Sequence, residues 1–524
     1  MIFFSQHSYF RQIYLAGIFL LIVALPLSMF LMSLAQFILL GAWILDGNIV
    51  KKLKSAFANP FFVVLAGVFV LHILGLINTT DFNYAYRDIR VKLPLLLLPL
   101  VIVSSAPLET NHFNAMLKFF IASVFISTLI SIAVYVGIIH KDLHNIRDIS
   151  IFISHIRLAL LVCVAIVCCI YFFNSSSLLK IKILLIAIII YLTAFLLLLE
   201  SLTGLTVLIC LLIFFAIRYL LKQSRRVAGL GVLFIVAIIV FATNAFYRYV
   251  FVDSIKQTIV NHKSLPKFTA LGNAYLNDTT KQDLENGNLV WITVCEKELD
   301  STWNARSKFL FLGKDVKGQN IKYTLIRFLA SKNLTRDAAG VLSLTVDEVR
   351  AVENGIANVN DVRLSDVSKR IHNLGWEYRQ YYYNGSSSGH SVIQRIEFWK
   401  TALYIISKHP LTGVGTGDVQ IAFDRAYQEN NSTLEQKSRL RAHNQYLTMA
   451  VAFGVLGGVY FIFCLLFPLL LNRKLGFLYS SFLLIALLSM INEDTLETQA
   501  GVTFFTFFNV LLFNQAQMIR SKQT

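Results

Sequence analysis

The sequence predicts an all-α polytopic membrane protein of about twelve transmembrane helices, with one large, mainly helical external domain between helices 9 and 10. Three observations carry this. The 524 residues are 56% hydrophobic and only 15% charged, against about 45–50% and about 25% in a soluble domain. The mean hydropathy is +0.63. The apolar residues also fall in runs of the length that crosses a bilayer, about 20 residues. Such a chain is not disordered, because disorder needs low hydrophobicity. It also carries more apolar sequence than a soluble multidomain enzyme could bury.

The predicted spans lie near 12–26, 28–46, 61–78, 91–106, 115–139, 151–173, 181–199, 202–221, 227–246, 445–470, 475–491 and 499–516. The first two crowd around Pro26 and read equally as one broken helix. The net charge of +17 fits nucleic acid, anionic lipid or a topology bias, and its distribution decides. With the N-terminus inside, the cytoplasmic segments hold 15 basic residues, among them Lys51, Lys52, Lys54, Arg225, Arg226, Arg473, Lys474 and Lys522, against Asp46 and Glu109. The bias predicts cytoplasmic N- and C-termini. Loops this short leave no room for a nucleic-acid-binding fold, so no nucleic acid partner is expected.

A polar stretch after the ninth span is too long for a simple connection. The expected division is 1–246 as N-terminal membrane domain, 247–391 as external insert, 392–447 as signature segment and 448–524 as C-terminal membrane helices. Within the insert, Tyr323–Leu329 and Leu364–Tyr383 read as helical. Thr345 with Glu348 has capping-box spacing. Asn384 to Gly389 reads as a flexible joint. Cys295 is the one cysteine there, so no disulfide can form inside the domain. Core packing must hold it.

Chemistry concentrates late in the chain. Gly413, Gly415 and Gly417 alternate after Pro410 without the Gly-Lys-Ser/Thr of a P-loop or a βαβ context. They read as a tight turn or as an amide nest for an anion. His443 precedes a long apolar helix at the external surface, where an imidazole can act as a base near neutral pH. Arg439 and Arg441 beside it favour the neutral ring. Arg395 shares an amphipathic pattern with Phe398 and Trp399. Arg157 lies inside an apolar run, where a charge is costly and is usually paired or functional. Arg87 and Arg90 stand on the side where positive charge is otherwise avoided, unless Asp81 and Asp88 neutralise them. Arginine forks match phosphate oxygens. His140 and His144 have helical spacing but no evident third ligand, so no metal site is expected, and no cofactor motif is present.

The series Arg395…Trp399, Pro410-Leu411-Thr412-Gly413-Val414-Gly415-Thr416-Gly417, His443-Asn444-Gln445-Tyr446-Leu447 and Phe453-Gly454-Val455-Leu456-Gly457 resembles the O-antigen ligase and O-antigen polymerase superfamily of bacterial envelopes. Ser201-Leu202-Thr203-Gly204 is similar to that family's small-residue motif, with Leu202 and Thr203 in place of the more usual Arg-Gly. His155-Ile156-Arg157 resembles its mid-chain arginine. The resemblance implies a multi-pass protein of the bacterial inner membrane with its large loop in the periplasm. It implies an inverting, metal-free glycosyltransferase, with an undecaprenyl-diphosphate-linked glycan as donor and lipid A-core or another hydroxyl as acceptor among membrane lipids. By that analogy His443 activates the acceptor, and Arg395 and Arg157 grip the diphosphate. Arg441, Arg87, Arg90, Gly413 and Gly415 are added as substrate-binding candidates. A polymerase or a protein O-oligosaccharyltransferase shares the donor. A transporter would show repeats and midplane polar groups, which this sequence does not display clearly.

Overall fold

A computed structural model describes residues 9–143, 145–253, 265–281, 283–363, 366–384, 391–432, 434–472 and 475–521. His144, the Gly385–Gly389 part of the joint, Arg473, Lys474 and Lys522 lie outside the described residues.

All twelve predicted apolar segments fall on helices. In chain order these are α1 (Tyr9–Leu27), α2 (Met29–Leu45), α3 (Ile49–Phe57), α4 (Pro60–Leu74), α5 (Phe82–Lys92), α6 (Pro94–Ser104), α7 (Thr110–Tyr135), α8 (His155–Ser175), α9 (Leu179–Leu198), α10 (Leu202–Leu220) and α11 (Arg225–Tyr247). Then come α12 (Glu296–Asn304), α13 (Ile321–Ser331), α14 (Ala338–Leu342), α15 (Val346–Glu353), α16 (Asn360–Arg363), α17 (Asp366–Asn384), α18 (Ser391–Lys408) and α19 (Val419–Glu429). Last are α20 (Gln445–Leu471), α21 (Phe477–Asn492) and α22 (Gln499–Ser521).

Eight helices among the described residues are long and apolar enough to cross a membrane, or nine if the bent pair α2 and α3 is one span. The other predicted spans do not meet that test of length and composition among the described residues, for local reasons. Helix α6 has 11 residues with Pro99 inside, and α21 has 16. The chain turns by 113° between α2 and α3. Helix α22 buries Thr503, Thr506, Asn509 and Gln515, which lowers its apolarity. Pro26 and Ser28 separate α1 from α2, and the Ser28 hydroxyl caps α2 at Leu31 N.

The chain divides into two compact units. One comprises Met1–Ala228, Glu397–Ser432 and Arg439–Thr524; the other comprises Gly229–Ile396 and Thr433–Ser438. In the first, α8 is the central element: every residue from Leu158 to Cys169 is buried, as expected of a helix apolar all round. It packs on α7, α9, α10 and α21, while α22 packs on α6 and α1 on α2. Helix α11 buries no side chain.

The second unit carries a core of its own, built from Trp303, Phe311, Leu325, Phe328 and Val352 with neighbours on α12 to α15. The Thr345–Glu348 capping box forms at the head of α15. Two short strands, β1 (Leu284–Glu285) and β2 (Asn288–Leu289), pair antiparallel. Asn286 and Gly287 between them both take positive φ, the geometry an Asn-Gly hairpin requires. Cys295 is buried and free.

Candidate active site

The glycine run and the Phe453-Gly454 motif form one seam of the first unit. Gly454 takes φ 70° and breaks the hydrogen-bond ladder of α20. The groups freed there pair with the run after Pro410: Val414 N donates to Val451 O (3.0 Å), Gly415 N to Ala452 O (2.9 Å) and Val455 N to Pro410 O (2.8 Å). A Cβ on Gly413 would stand 2.4 Å from the Ala452 carbonyl, and one on Gly454 2.3 Å from Leu411 O. Only glycine lets these backbones approach so closely. Further on, Thr416 N donates to Gly75 O, and Gly417 N donates to Thr79 Oγ1. Asp418 accepts from the amides of Thr80 and Asp81. The amide-nest reading of Gly413 and Gly415 is thus corrected: their amides, and those up to Gly417, are donated to protein oxygens, because the run is a packing seam. Gly413 still lines an open groove with Tyr404, Lys408, His409 and Arg425.

The seam sets the head of α20. Asn444 caps the helix, accepting from Leu447 N (3.1 Å). His443, just before it, takes φ 46°, an uncommon conformation for a residue with a side chain. Contacts to the backbone and to the ring help to hold it. Its amide donates to Asp494 Oδ2 (3.2 Å), and its ring lies 5.8 Å from that of Phe398. Trp399 anchors the same turn, donating from Nε1 to Ala442 O (3.0 Å). An over-determined left-handed residue of this kind is typical of sites where strain serves function.

Asp494 belongs to a short acidic segment between α21 and α22 that organises the remaining charges. It also accepts from Thr448 Oγ1 (2.7 Å). Burial, and then the negative charge of Glu497, push its carboxyl up to about 6. Glu497 receives Lys92 Nζ at 3.1 Å and Arg441 Nη1 at 3.0 Å. Burial would raise its carboxyl, but Lys92 and Arg441 outweigh burial and hold it below the ordinary range. Lys92 also meets Asp88 at 2.6 Å. Gln445 braces the segment from α20, accepting from Leu496 N (2.7 Å). Arg157 lines a small pocket with Glu493, Thr495 and Phe504. Its Nη1 donates to Ser154 Oγ (3.2 Å), the hydroxyl that caps α8.

The structure therefore gathers Arg157, His443 and Arg441 around residues 493–497. Arg441 is engaged by Glu497 and stands over the Tyr84 ring (5.9 Å), so its charge is already compensated. Arg87 and Arg90 are exposed on α5. The carboxylates suggested as their partners are used elsewhere: Asp88 pairs with Lys92, and Asp81 caps α5 at Tyr84 N. Arg395 stands on α18 in the second unit. His140 is exposed, and no group of three His, Cys, Asp or Glu among the described residues could hold a metal ion.

From sequence, Lys92 groups with Arg87 and Arg90 as a candidate phosphate contact; the structure instead pairs it with Asp88 and Glu497, and gives Glu493, Asp494 and Glu497 a weight that the sequence did not. The signal was present: three carboxylates between two apolar spans need cations nearby.

No curated protein matches the chain. Residues 338–462 match the family model described as O-antigen ligase, a stretch that holds Arg395, the glycine run, His443 and Gly454, so that segment of the chain is similar to the O-antigen ligase family.

Proposed function

We propose that this membrane protein is an inverting, metal-independent glycosyltransferase of the O-antigen ligase type. It moves a glycan from an undecaprenyl-diphosphate carrier to an acceptor hydroxyl, a lipid A-core sugar, at the periplasmic face of the bacterial inner membrane, with both termini in the cytoplasm. The observation that carries the reading is the fixed head of α20. His443 is clamped there by Asp494 and Phe398, in the same unit as Arg157, whose pocket is lined by the same acidic segment. A base and a cation at one membrane face suit displacement of a lipid-linked diphosphate.

In this reading His443 takes the acceptor hydroxyl proton as the acceptor oxygen attacks the anomeric carbon. The bond from that carbon to the diphosphate breaks, and the leaving charge is met by Arg157; the resemblance assigns the same role to Arg395. Arg395 shares a face of α18 with Phe398 and Trp399, three and four residues on. The exposed Arg87 and Arg90 receive outlying phosphate or acidic sugar. Arg441 acts by holding Glu497, and Gly413 by lining the groove.

The test reconstitutes the full chain in vesicles with a lipid-linked glycan donor and, in separate assays, lipid A-core, a second lipid-linked glycan and a Ser/Thr peptide. Transfer to lipid A-core is expected. His443→Ala should lower it by about 10²–10⁴-fold at unchanged protein level. Transfer to the glycan or the peptide instead overturns the acceptor. Loss with EDTA and rescue by a divalent ion overturns the metal-free step.

A further inference from the structure

A second cleft of the first unit lies far from His443. It is lined by Asn114, Lys118, Ile121, Ala122 and Phe125 of α7, by Phe172, Ser175 and Ser176 at the end of α8, and by Ile181, Leu184, Leu185 and Ile188 of α9, and it encloses about 650 Å³. That is within the range of small-molecule sites. Its position along α8 matters. Arg157 stands near the start of that helix and Ser175 at its end, about 27 Å apart at 1.5 Å per residue. The cleft thus belongs to the opposite leaflet from the Arg157 pocket.

The shape is a wedge. Helices α7 and α9 are riveted at one end, where Tyr191 OH donates to Thr128 Oγ1 (3.1 Å) and the rings of Phe125 and Tyr191 stand 4.8 Å apart. Toward Asn114 and Ile181 the cleft lies between them. From Phe125 to Asn114 the wall measures about 16 Å, close to half of the roughly 30 Å hydrocarbon core. Its deep part is apolar, and its mouth is polar and basic. Lys118 is exposed there, its Nζ 5.6 Å from the Phe172 ring. Ser176 Oγ accepts from Leu178 N, which leaves its proton free to donate. The first amides of α9 have no side-chain cap and so favour an anion. Asn114 Oδ1 is buried and has no hydrogen-bond partner among the described residues. No lining residue is acidic.

We infer that this cleft is a binding site for an anionic phospholipid, with an acyl chain between α7 and α9 and the headgroup phosphate at Lys118, Ser176 and the head of α9. Chain length and leaflet argue for a bilayer lipid, and the unopposed lysine selects negative charge. The site lies beyond the transfer reaction, and a failed lipid test leaves the proposed activity untouched.

The experiment delipidates the purified full chain in detergent and adds phosphatidylglycerol, phosphatidylcholine or inorganic phosphate. Thermal unfolding and native mass spectrometry are the readouts. Phosphatidylglycerol should raise the melting temperature by several degrees and remain bound as a discrete adduct, with phosphatidylcholine several-fold weaker. Lys118→Glu should erase the preference while the lipid-free melting temperature stays unchanged, since Lys118 is exposed. Ala122→Trp, which fills the wedge, should remove binding of both lipids. Equal effects of the two lipids on the wild type overturn the proposal. So does a preference that survives Lys118→Glu, or a shift reproduced by inorganic phosphate alone.

Discussion

The head of α20 and the core of the second unit both bury charge, but they use it differently. In the second unit two arginines are spent mainly on the chain's own carbonyls. Arg336 donates to the carbonyls of Leu289 and Leu334, and Arg306 to those of Val341 and Leu344. Glu298 accepts from Thr269, Asn273 and the amide of Ala338. These charges staple loops over Trp303 and Phe328. Around α20, cation meets carboxylate in a chain from Asp88 through Lys92 and Glu497 to Arg441. The segment that carries Glu497 also holds His443 through Asp494. A buried charge spent on carbonyls keeps a fold together. One spent on a shared carboxylate aligns several elements at once, and a single substitution can disturb all of them.

The sharpest way to break the comparison is to remove one carboxylate from each region. Glu497→Ala leaves Lys92 and Arg441 facing one another in a buried site, a change that costs about 3–5 kcal/mol when a buried pair is broken. The expected outcome is a large fall in melting temperature together with loss of transfer. Glu285→Ala in the second unit deprives Arg327 of its partner at 2.7 Å, but the Arg327 side chain is 36% exposed and can turn to solvent. A smaller effect is expected, of about 1–3 kcal/mol, with transfer retained. If Glu285→Ala proves as damaging as Glu497→Ala, the distinction between stapling and aligning charge fails. Adding Arg441→Met to Glu497→Gln should recover part of the lost stability, because Arg441 is the cation that loses its carboxylate, whereas Lys92 keeps Asp88 at 2.6 Å.

The two regions also differed in how legible they were. Helix positions followed from long apolar runs, and the start of α15 from Thr345 and Glu348, because those signals act within a few residues. The number of spans did not follow, because composition cannot show that Pro99 sits in a helix of 11 residues or that the chain turns by 113° after α2. His443, Arg157 and Arg441 stood out as polar groups beside apolar runs. Lys92 reads as a candidate phosphate contact at the end of an external loop until Glu497, about 400 residues later, folds against it. The glycine run showed the need for close approach but not what approaches. Its partner is the α20 backbone freed at Gly454, a contact no local spacing encodes.

A middle-sized effect is expected at Arg157. Its side chain is fixed by Ser154 on its own turn, so Arg157→Ala should leave the melting temperature within a few degrees of wild type. Its loss should be felt in the donor. Half-saturation for the lipid-linked diphosphate should rise about tenfold, a difference of about 1.4 kcal/mol, with half-saturation for the acceptor unchanged. Arg157→Lys should restore only part, since a lysine keeps the charge and loses the fork. Unchanged donor kinetics in Arg157→Ala would move the diphosphate away from the α8 pocket.

The smallest effect concerns pH and separates Asp494 from Glu497 within the acidic segment. Asp494 is held near 6, above the ordinary 3.8, by burial and by Glu497. A raised carboxyl makes the folded state take up a proton before the unfolded chain does. Its contribution to stability is therefore fully present below about pH 4 and is lost as the pH rises through about 6. Glu497 has the opposite sign. Its depressed carboxyl contributes fully above the ordinary 4.5 and loses that contribution only in stronger acid. Between pH 7 and pH 5 the two can be told apart, because of the pair only Asp494 titrates there; Asp88, which burial also pushes up to about 6, titrates in both the wild type and an Asp494 variant. Asp494→Asn cannot ionise, so its melting temperature should vary less than that of the wild type over this window. It keeps one acceptor oxygen for the His443 amide or the Thr448 hydroxyl but not for both, so a several-fold loss of transfer should accompany the flattened profile. A wild-type pH profile in Asp494→Asn would assign the pH dependence to Asp88 beside Lys92, and would mean that the clamp on His443 does not depend on the charge of Asp494.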